Sequence, residues 1–422
     1  MLIQFSVGNY LSFKDKVTFS MVASSIQEHR DTNVVVVDKK LKLLKSSVIY
    51  GANASGKSNL LEAMQFFRHF VLSSSKETQV TDKIDIESFK LSSETENKPS
   101  FFEIIFINGK IKYRYGFIID KERIHEEWLC YYPKNREVLL FHRKGNNFNI
   151  GHSFKEETKD LEKKTRSNAL FVSVVAQFNG TISMRVIEWF KKFRIISGLK
   201  DDHYSSFTKN KIEDPNFKPS IIEFLKVADL GIENIDLFKI KLKKKDLPKG
   251  MPEEIKSEFI NRGISNVVTY HKKYSNNSKH VSIEIFDLDM EESEGTKKLF
   301  ALAGPLIDTL KNGYTLIIDE LDTRLHPILT KSIVDIFNSL KNSNNAQLVF
   351  ATHDISLLNR NNFRRDQVWF TEKSEYGSTS LYSLVEYKKE KGKVRNDASY
   401  SKDYILGKYG AIPYIRSNKS LF

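Results

Sequence analysis

At 422 residues, 40% hydrophobic and 28% charged, the chain is long enough for two or three lobes and has the composition of a soluble globular protein. A net charge of +13 favours contact with nucleic acid or an acidic partner, although solvated lysine faces give the same balance. The longest apolar run, 169–176, is well short of the roughly 18 residues of a membrane span, no basic-then-apolar leader opens the sequence, and the single cysteine, Cys130, excludes an intrachain disulfide or a cysteine-based metal cluster; a cytoplasmic protein without membrane contact is expected.

Residues 2–22 alternate in the strand manner, with Ile3, Phe5 and Val7, then Val17, Phe19 and Met21, on either side of Asn9-Tyr10-Leu11-Ser12-Phe13, which predicts a hairpin. A short apolar run at 48–50 then leads into Gly51-Ala52-Asn53-Ala54-Ser55-Gly56-Lys57-Ser58. Leucine, methionine and phenylalanine follow at helical spacing, giving strand, loop and helix. The loop fits G-x-x-x-x-G-K-[ST]. Gly51 and Gly56 let the backbone curl with its N–H groups inward, and the helix adds its positive end, so a polyphosphate is held by main chain. Lys57 would reach the β- and γ-phosphates and Ser58 would place a hydroxyl on Mg²⁺. A chance glycine-rich turn would not come with this flanking strand and helix. A nucleoside triphosphate site is expected.

The polar stretch 73–99 reads as loop or short insertion. From Phe101 the strand period returns, and Asn108-Gly109 between two β-rich runs marks a hairpin, because both residues tolerate positive φ. A further pair at 138–143 and 148–150 suggests an antiparallel sheet beside the nucleotide site. Between about 155 and 280 the pattern is mainly helical, for example at 184–196 and 221–230, with no heptad repeat or duplication. The lysine-rich run 239–249 could grip a phosphate backbone but reads more simply as an exposed face, and a second basic run covers 388–395.

From Val281 strand and helix alternate, which argues for a mostly parallel sheet. Leu299, Phe300, Leu302, Ala303, Leu306, Ile307 and Leu310 mark one helix face, kinked at Gly304-Pro305. An apolar strand at 314–319, a helix opened by His326-Pro327 and a buried strand at 347–352 follow. The first strand ends in Asp319-Glu320: Asp319 would hold the Mg²⁺ shell, and Glu320 would polarise the attacking water. His353, in Ala351-Thr352-His353-Asp354 at the edge of the next strand, would face the ligand crevice and contact the γ-phosphate, against the plainer reading of a core histidine.

The order of these pieces resembles the ABC-type ATPases of the SMC and RecF kind rather than hexameric AAA+ motors. In that superfamily a signature segment ahead of the Walker B strand binds the γ-phosphate held by the other subunit. The matching residues are Ser293, Gly295 and Thr296, for which a helix N-cap is the plain alternative. Gln177 looks like the Q-loop glutamine that reaches Mg²⁺ and the attacking water, and Asp322 is similar to the D-loop aspartate that crosses the dimer interface. His326 has a weaker claim and reads equally as a flank of the helix-opening proline.

Within the superfamily the chain resembles bacterial ATPases of the RloA and AbiLi type, of abortive infection and anti-phage defence. The resemblance rests on the opening FSVGNYLSFKDKVTFSMVAS, the loop GANASGKSNLLEAM, ESEGTKKLF with IIDELDTRLHP and ATHD, and the ending YILGKYGAIPYI. It implies an α/β, ABC-type P-loop ATPase with a mostly parallel core sheet, an antiparallel β-subdomain and a helical insertion. Residues 1–154 would hold the P-loop and β-subdomain, 155–280 the insertion, and 281–422 the signature, Walker B and switch histidine. It further implies an ATP- and Mg²⁺-dependent homodimer or higher oligomer that senses a phage component or nucleic acid and controls a separate effector, a nuclease or toxin. The alternatives are a RecF-like repair ATPase and an ATP-dependent scaffold with little need for hydrolysis. The signature lacks the Leu-Ser-Gly-Gly form of transporters, and about seventy residues after His353 are too few for a Toprim nuclease. Asp287-Leu288-Asp289, ahead of the signature, reads as structural.

Overall fold

The computed structural model describes residues 1–77, 79–134, 136–156, 160–227, 231–240, 250, 252–254, 256, 264–389, 392–394 and 398–413. Residues 241–249 of the first basic run, 390, 391 and 395 of the second, and 414–415 of the ending lie outside the described residues. The chain divides into two compact units. One comprises Met1–Gly198, Asn312–Asp322 and Thr330–Phe422; the other comprises Leu199–Lys311 and Thr323–Leu329.

The first unit is a mixed α/β structure built on two sheets. β1 (Leu2–Gly8) and β2 (Val17–Ser20) form the expected hairpin. They join β6 (Ser100–Asn108), β7 (Ile111–Ile119), β8 (Ile124–Tyr132), β9 (Val138–Lys144) and β10 (Asn147–Ile150) in an antiparallel sheet of order β10-β9-β8-β7-β6-β1-β2. The expected β6–β7 hairpin is present, but Asn108 is its last strand residue and pairs with Ile111, so the turn is centred on Gly109-Lys110 and of these only Gly109, at φ +62°, has positive φ. A small ladder joins β3 (Val34–Val36) to β4 (Lys42–Leu44).

The second sheet contains β5 (Ser46–Tyr50), β11 (Phe193–Ser197), β15 (Thr315–Asp319), β16 (Gln347–Ala351), β17 (Val368–Lys373) and β18 (Thr379–Ser383), in the order β11-β15-β16-β5-β17-β18. All neighbours are parallel except β17 and β18. The central strands read as continuous apolar runs because both faces are covered. The helix Lys57–Ser73 contributes Leu60, Met64 and Phe67 to a core shared with Ile49, Ile317 and Val349 of this sheet and Phe5, Phe102 and Phe117 of the antiparallel one. Phe67 stacks on Phe117 with ring centroids 4.6 Å apart.

The stretch expected to be mainly helical does contain the helices Thr181–Lys192, Asp202–Ile212 and Lys218–Val227, but also strands. The helix expected over 184–196 stops at Lys192, and Phe193–Ser197 becomes β11 because it pairs in parallel with β15. In the second unit, β12 (Ile232–Ile240), β13 (Ile264–Tyr274) and β14 (His280–Asp287) form an antiparallel sheet. Its long helix, Glu294–Asn312, runs through Pro305. Proline cannot donate to the carbonyl four residues back, here that of Ala301. The Thr208 hydroxyl donates to that carbonyl at 2.7 Å and accepts from the Gly304 N–H at 3.0 Å, so the helix continues.

Candidate nucleotide-binding site

The five residues of β5 are all buried, and the chain leaves the sheet at Tyr50 directly into the glycine-rich loop. Gly56 has φ +111°, and a Cβ there would lie 2.4 Å from Thr379 Oγ1. A Cβ on Gly51 would lie 2.4 Å from Ser55 Oγ and 2.5 Å from the Thr371 carbonyl oxygen, so no larger residue fits either place. The helix begins at Lys57, whose buried ammonium donates to the carbonyls of Gly51 at 2.9 Å and Ala52 at 3.1 Å. Burial lowers the Lys57 pKa, and the carboxylates of Asp319, Glu320 and Asp322 pull it back up. The parallel order places the end of β15 two strands from β5, with β16 between them, so these groups share the carboxyl edge where open α/β sheets bind ligands.

Asp319 closes β15, with Ser58 beside its side chain. Burial raises its pKa and the charge of Glu320 adds to the rise, while Ser58 and Lys57 oppose it. Its Oδ1 is buried without a hydrogen-bond partner among the described residues. An orphaned carboxylate oxygen beside a serine hydroxyl is a hard-oxygen set that fits Mg²⁺. Glu320 follows with φ +52°, a left-handed conformation that costs about 1–3 kcal/mol for such a residue and concentrates at functional sites. His353 lies just past β16. Its pKa is lowered by burial and by Lys57, with Asp322, Glu320 and Asp319 acting in the opposite direction. Lys57, Ser58, Asp319, Glu320, Asp322 and His353 are thus brought into one charge cluster. Asp322 is half-buried, with a buried Oδ1 lacking a hydrogen-bond partner among the described residues.

Gln177 is not in this cluster. It ends the helix Phe171–Gln177, is exposed, and donates to the Ser75 carbonyl at 3.5 Å, beyond the far end of the 17-residue helix that starts at Lys57. That helix spans roughly 25 Å, which corrects the expectation that Gln177 reaches Mg²⁺ or the attacking water. The segment beside Asp319 is instead the end of β11: Ser197 pairs with Asp319, and the Gly198 N–H donates to the Asp319 carbonyl at 2.6 Å. The available signal was Phe193, Ile195 and Ile196, all strand-prone, after Lys191-Lys192, a cation pair suited to a helix C-terminus.

In the second unit, Ser293 accepts from the Thr296 N–H at 3.2 Å, and the two hydroxyls lie 2.8 Å apart, which is helix N-cap geometry. Gly295 lies close under the chain, where a Cβ would be 3.3 Å from the Arg324 carbonyl oxygen. His326 Nδ1 accepts from the Ile328 N–H at 3.3 Å, in keeping with a helix-flanking residue. Asp287 caps its own short helix by accepting from the N–H groups of Asp289 and Met290.

The family described as "AAA domain, putative AbiEii toxin, Type IV TA system" matches residues 46–359, which run from β5 past His353. The chain belongs to that family. Membership in this AAA-domain family makes it an ATPase-type nucleotide-binding protein. No curated protein matches the chain. Among solved structures, it is similar to the SMC head domain from Thermotoga maritima at 11% identity, over 90% of this chain and 98% of that one, with a TM-score of 0.41. An SmcHead bound to the C-winged helix domain of ScpA shares 13% identity over 90% and 97%, with a TM-score of 0.46. An Smc head domain with an extended coiled coil, bound to the C-terminal domain of ScpA derived from Pyrococcus furiosus, shares 13% over 96% and 98%, at 0.38. Likenesses this faint carry no argument about this chain. No described helix is long and apolar enough to cross a membrane.

Proposed function

We propose that this chain is an ATP-binding and ATP-hydrolysing switch of a bacterial abortive-infection system, working in the cytoplasm as a homodimer or higher oligomer that controls a separate nuclease or toxin. The observation that carries the ATPase reading is the meeting of Lys57, Ser58 and an orphaned Asp319 oxygen at the carboxyl edge of a parallel sheet. The defence reading draws on the description of the family, which speaks of an AbiEii toxin and a type IV TA system.

Backbone N–H groups of Gly51, Ala52, Asn53, Ala54, Ser55 and Gly56 would surround the β-phosphate, and Lys57 would exchange its two carbonyl partners for phosphate oxygens. Ser58 and Asp319 would hold Mg²⁺, which when bound neutralises charge on the β- and γ-phosphates. Glu320 would orient and take a proton from the attacking water. With its pKa lowered, His353 would be neutral at neutral pH and able to donate to the γ-phosphate. Ser293, Gly295, Thr296 and Asp322 of a second copy would complete the site. The first unit, which takes in 155–198 besides the expected 1–154, would be the ATPase core, and the second unit would be the insertion. A phage component or nucleic acid would be the trigger, and hydrolysis would reset the dimer.

The test is magnesium-dependent ATP turnover by the purified protein. Lys57→Ala should abolish nucleotide binding. Glu320→Gln should slow hydrolysis about 100-fold or more while trapping an ATP-bound dimer on size exclusion with light scattering. A wild-type protein that neither binds nor hydrolyses MgATP would overturn the reading, and a Glu320→Gln protein that stays monomeric with ATP would remove its dimer.

A further inference from the structure

We propose that Thr379, together with Ser12 and Thr371, is a positioning residue of the nucleotide loop, holding it in its binding shape before ATP arrives. The inference rests on the reading of Gly51–Ser58 as the ATP site. The three residues are buried, and they come from the N-terminal turn and from β17 and β18, over 300 residues further along the chain.

Ser55, at the middle of the loop and 2% exposed, is gripped at both ends. Its hydroxyl lies 2.7 Å from Thr371 Oγ1, and its carbonyl accepts from Thr379 Oγ1 at 2.9 Å. Thr379 Oγ1 also lies 2.8 Å from Ser12 Oγ, which accepts from Asn59 Nδ2 at 2.7 Å. Asn59 sits in the first turn of the helix that follows the loop. A hydroxyl has one proton, and a carbonyl only accepts. The one Thr379 proton therefore faces both the Ser55 carbonyl and Ser12 Oγ, and Ser12 Oγ also accepts from Asn59. A backbone bond from the Thr379 N–H to the Ser12 carbonyl at 2.7 Å closes the ring.

The same contacts give the loop glycines a second reason to be glycine. Gly56 lies flush on Thr379, where an added Cβ would be 2.4 Å from Oγ1 and 2.6 Å from Cγ2, and Gly51 lies flush on Thr371. β17 and β18 thus form a floor that a glycine-rich loop can rest on and a bulkier one cannot. A loop fixed in advance does not have to be ordered by its ligand, so the floor should act on affinity and not on the chemical step.

Thr379→Val keeps the shape and removes the hydroxyl, leaving the Ser55 carbonyl without its donor. Binding of a fluorescent ATP analogue with magnesium and steady-state ATPase kinetics would be measured on the full chain. The expected result is a Kd about tenfold higher and a KM raised in step, with kcat within twofold. Thr379→Ser should return Kd to within twofold of wild type, and Ser380→Val, at the exposed neighbouring position, should leave it unchanged. The double variant Ser12→Ala/Thr379→Val should lose less than the product of the single losses, because both act through one chain of bonds. If Thr379→Val fails to fold, Ser12→Ala carries the test, with at least a threefold rise in Kd expected. An unchanged Kd in Thr379→Val or Ser12→Ala, or a Kd that Thr379→Ser does not restore, overturns the proposal while ATP binding by the wild type stands. Wild-type protein that binds no ATP overturns the nucleotide reading itself.

Discussion

At the scale of single residues, Asp319 shows how placement sets chemistry. Burial and the adjacent Glu320 keep its proton to a higher pH than an ordinary carboxylate, even with Lys57 and Ser58 opposing. Only the ionised form offers a full charge to a cation, so proton and Mg²⁺ compete there. Because the pKa is raised, competition begins at a higher pH than for an ordinary aspartate. The expected outcome is that apparent Mg²⁺ affinity in the presence of ATP falls as pH is lowered, starting above the pH at which an ordinary aspartate takes up its proton. Asp319→Asn should weaken Mg²⁺ at every pH and flatten that dependence, as magnesium titrations of nucleotide binding would report. A wild-type profile as flat as the variant's would dissociate Asp319 from the metal. Asp319, Glu320, Lys57 and Ser58 were legible in the sequence because each belongs to a contiguous pattern with a physical reason for its spacing. Thr371, Thr379 and Ser12 were not, since a threonine on a strand looks the same whether or not a loop from the other end of the chain rests on it.

At the scale of elements, short helices in this protein depend on what receives their ends. Phe171–Gln177 is preceded by Leu170, which has no capping side chain. Its first N–H groups are met by Glu127 of β8, which accepts from Phe171 at 2.7 Å and from Val172 at 3.1 Å, and also from the Tyr115 hydroxyl at 3.0 Å. Glu127 and its partner Arg143 are both fully buried, 3.7 Å apart, and Arg143 donates to the carbonyls of Ala169 at 2.7 Å and Arg166 at 2.9 Å. A strand pair therefore caps a helix and ties down the segment leading into it. Removing one member leaves an uncompensated charge in the interior, so Glu127→Ala should cost about 3–5 kcal/mol in urea unfolding, and a loss below about 1 kcal/mol would show the staple to be idle. The same dependence on partners explains the misread end of the helix at 184–196. Ile195 and Ile196 continue an apolar spacing that suits a helix, and they become strand because β15 offers an unpaired edge. Local propensity yields to pairing there. β5, β15 and β16 were legible because an apolar run ended by a glycine-rich loop, paired acids or a histidine admits few other readings.

At the scale of the molecule, the first unit cannot assemble from one end of the chain. β5 and β11 come from the N-terminal 198 residues, yet in the sheet they are separated by β15 and β16, and β5 is flanked on its other side by β17. Neither strand has a parallel neighbour supplied by its own half. The ending reinforces this closure: Tyr404 stacks on Phe370 at 5.4 Å and lies 6.0 Å from Tyr50, the residue just before the loop, and the Tyr50 hydroxyl donates to the Asp354 carbonyl at 3.0 Å. The resemblance rested on motifs from both ends of the sequence, and β17, β18 and Tyr404 from the late segments pack on the early strand and loop. Residues 1–198 alone should therefore keep the antiparallel sheet, whose strands are all their own, while leaving β5 and β11 unpaired. Hydrogen exchange should find β5 and β11 unprotected in that fragment, with no MgATP binding. Co-expression with residues 199–422 should restore both, because the missing strands β15, β16 and β17 then fill the gaps on either side of β5. A 1–198 fragment that bound MgATP with wild-type affinity would mean that the loop is shaped without β17 and β18, contrary to the floor they form beneath Gly51 and Gly56.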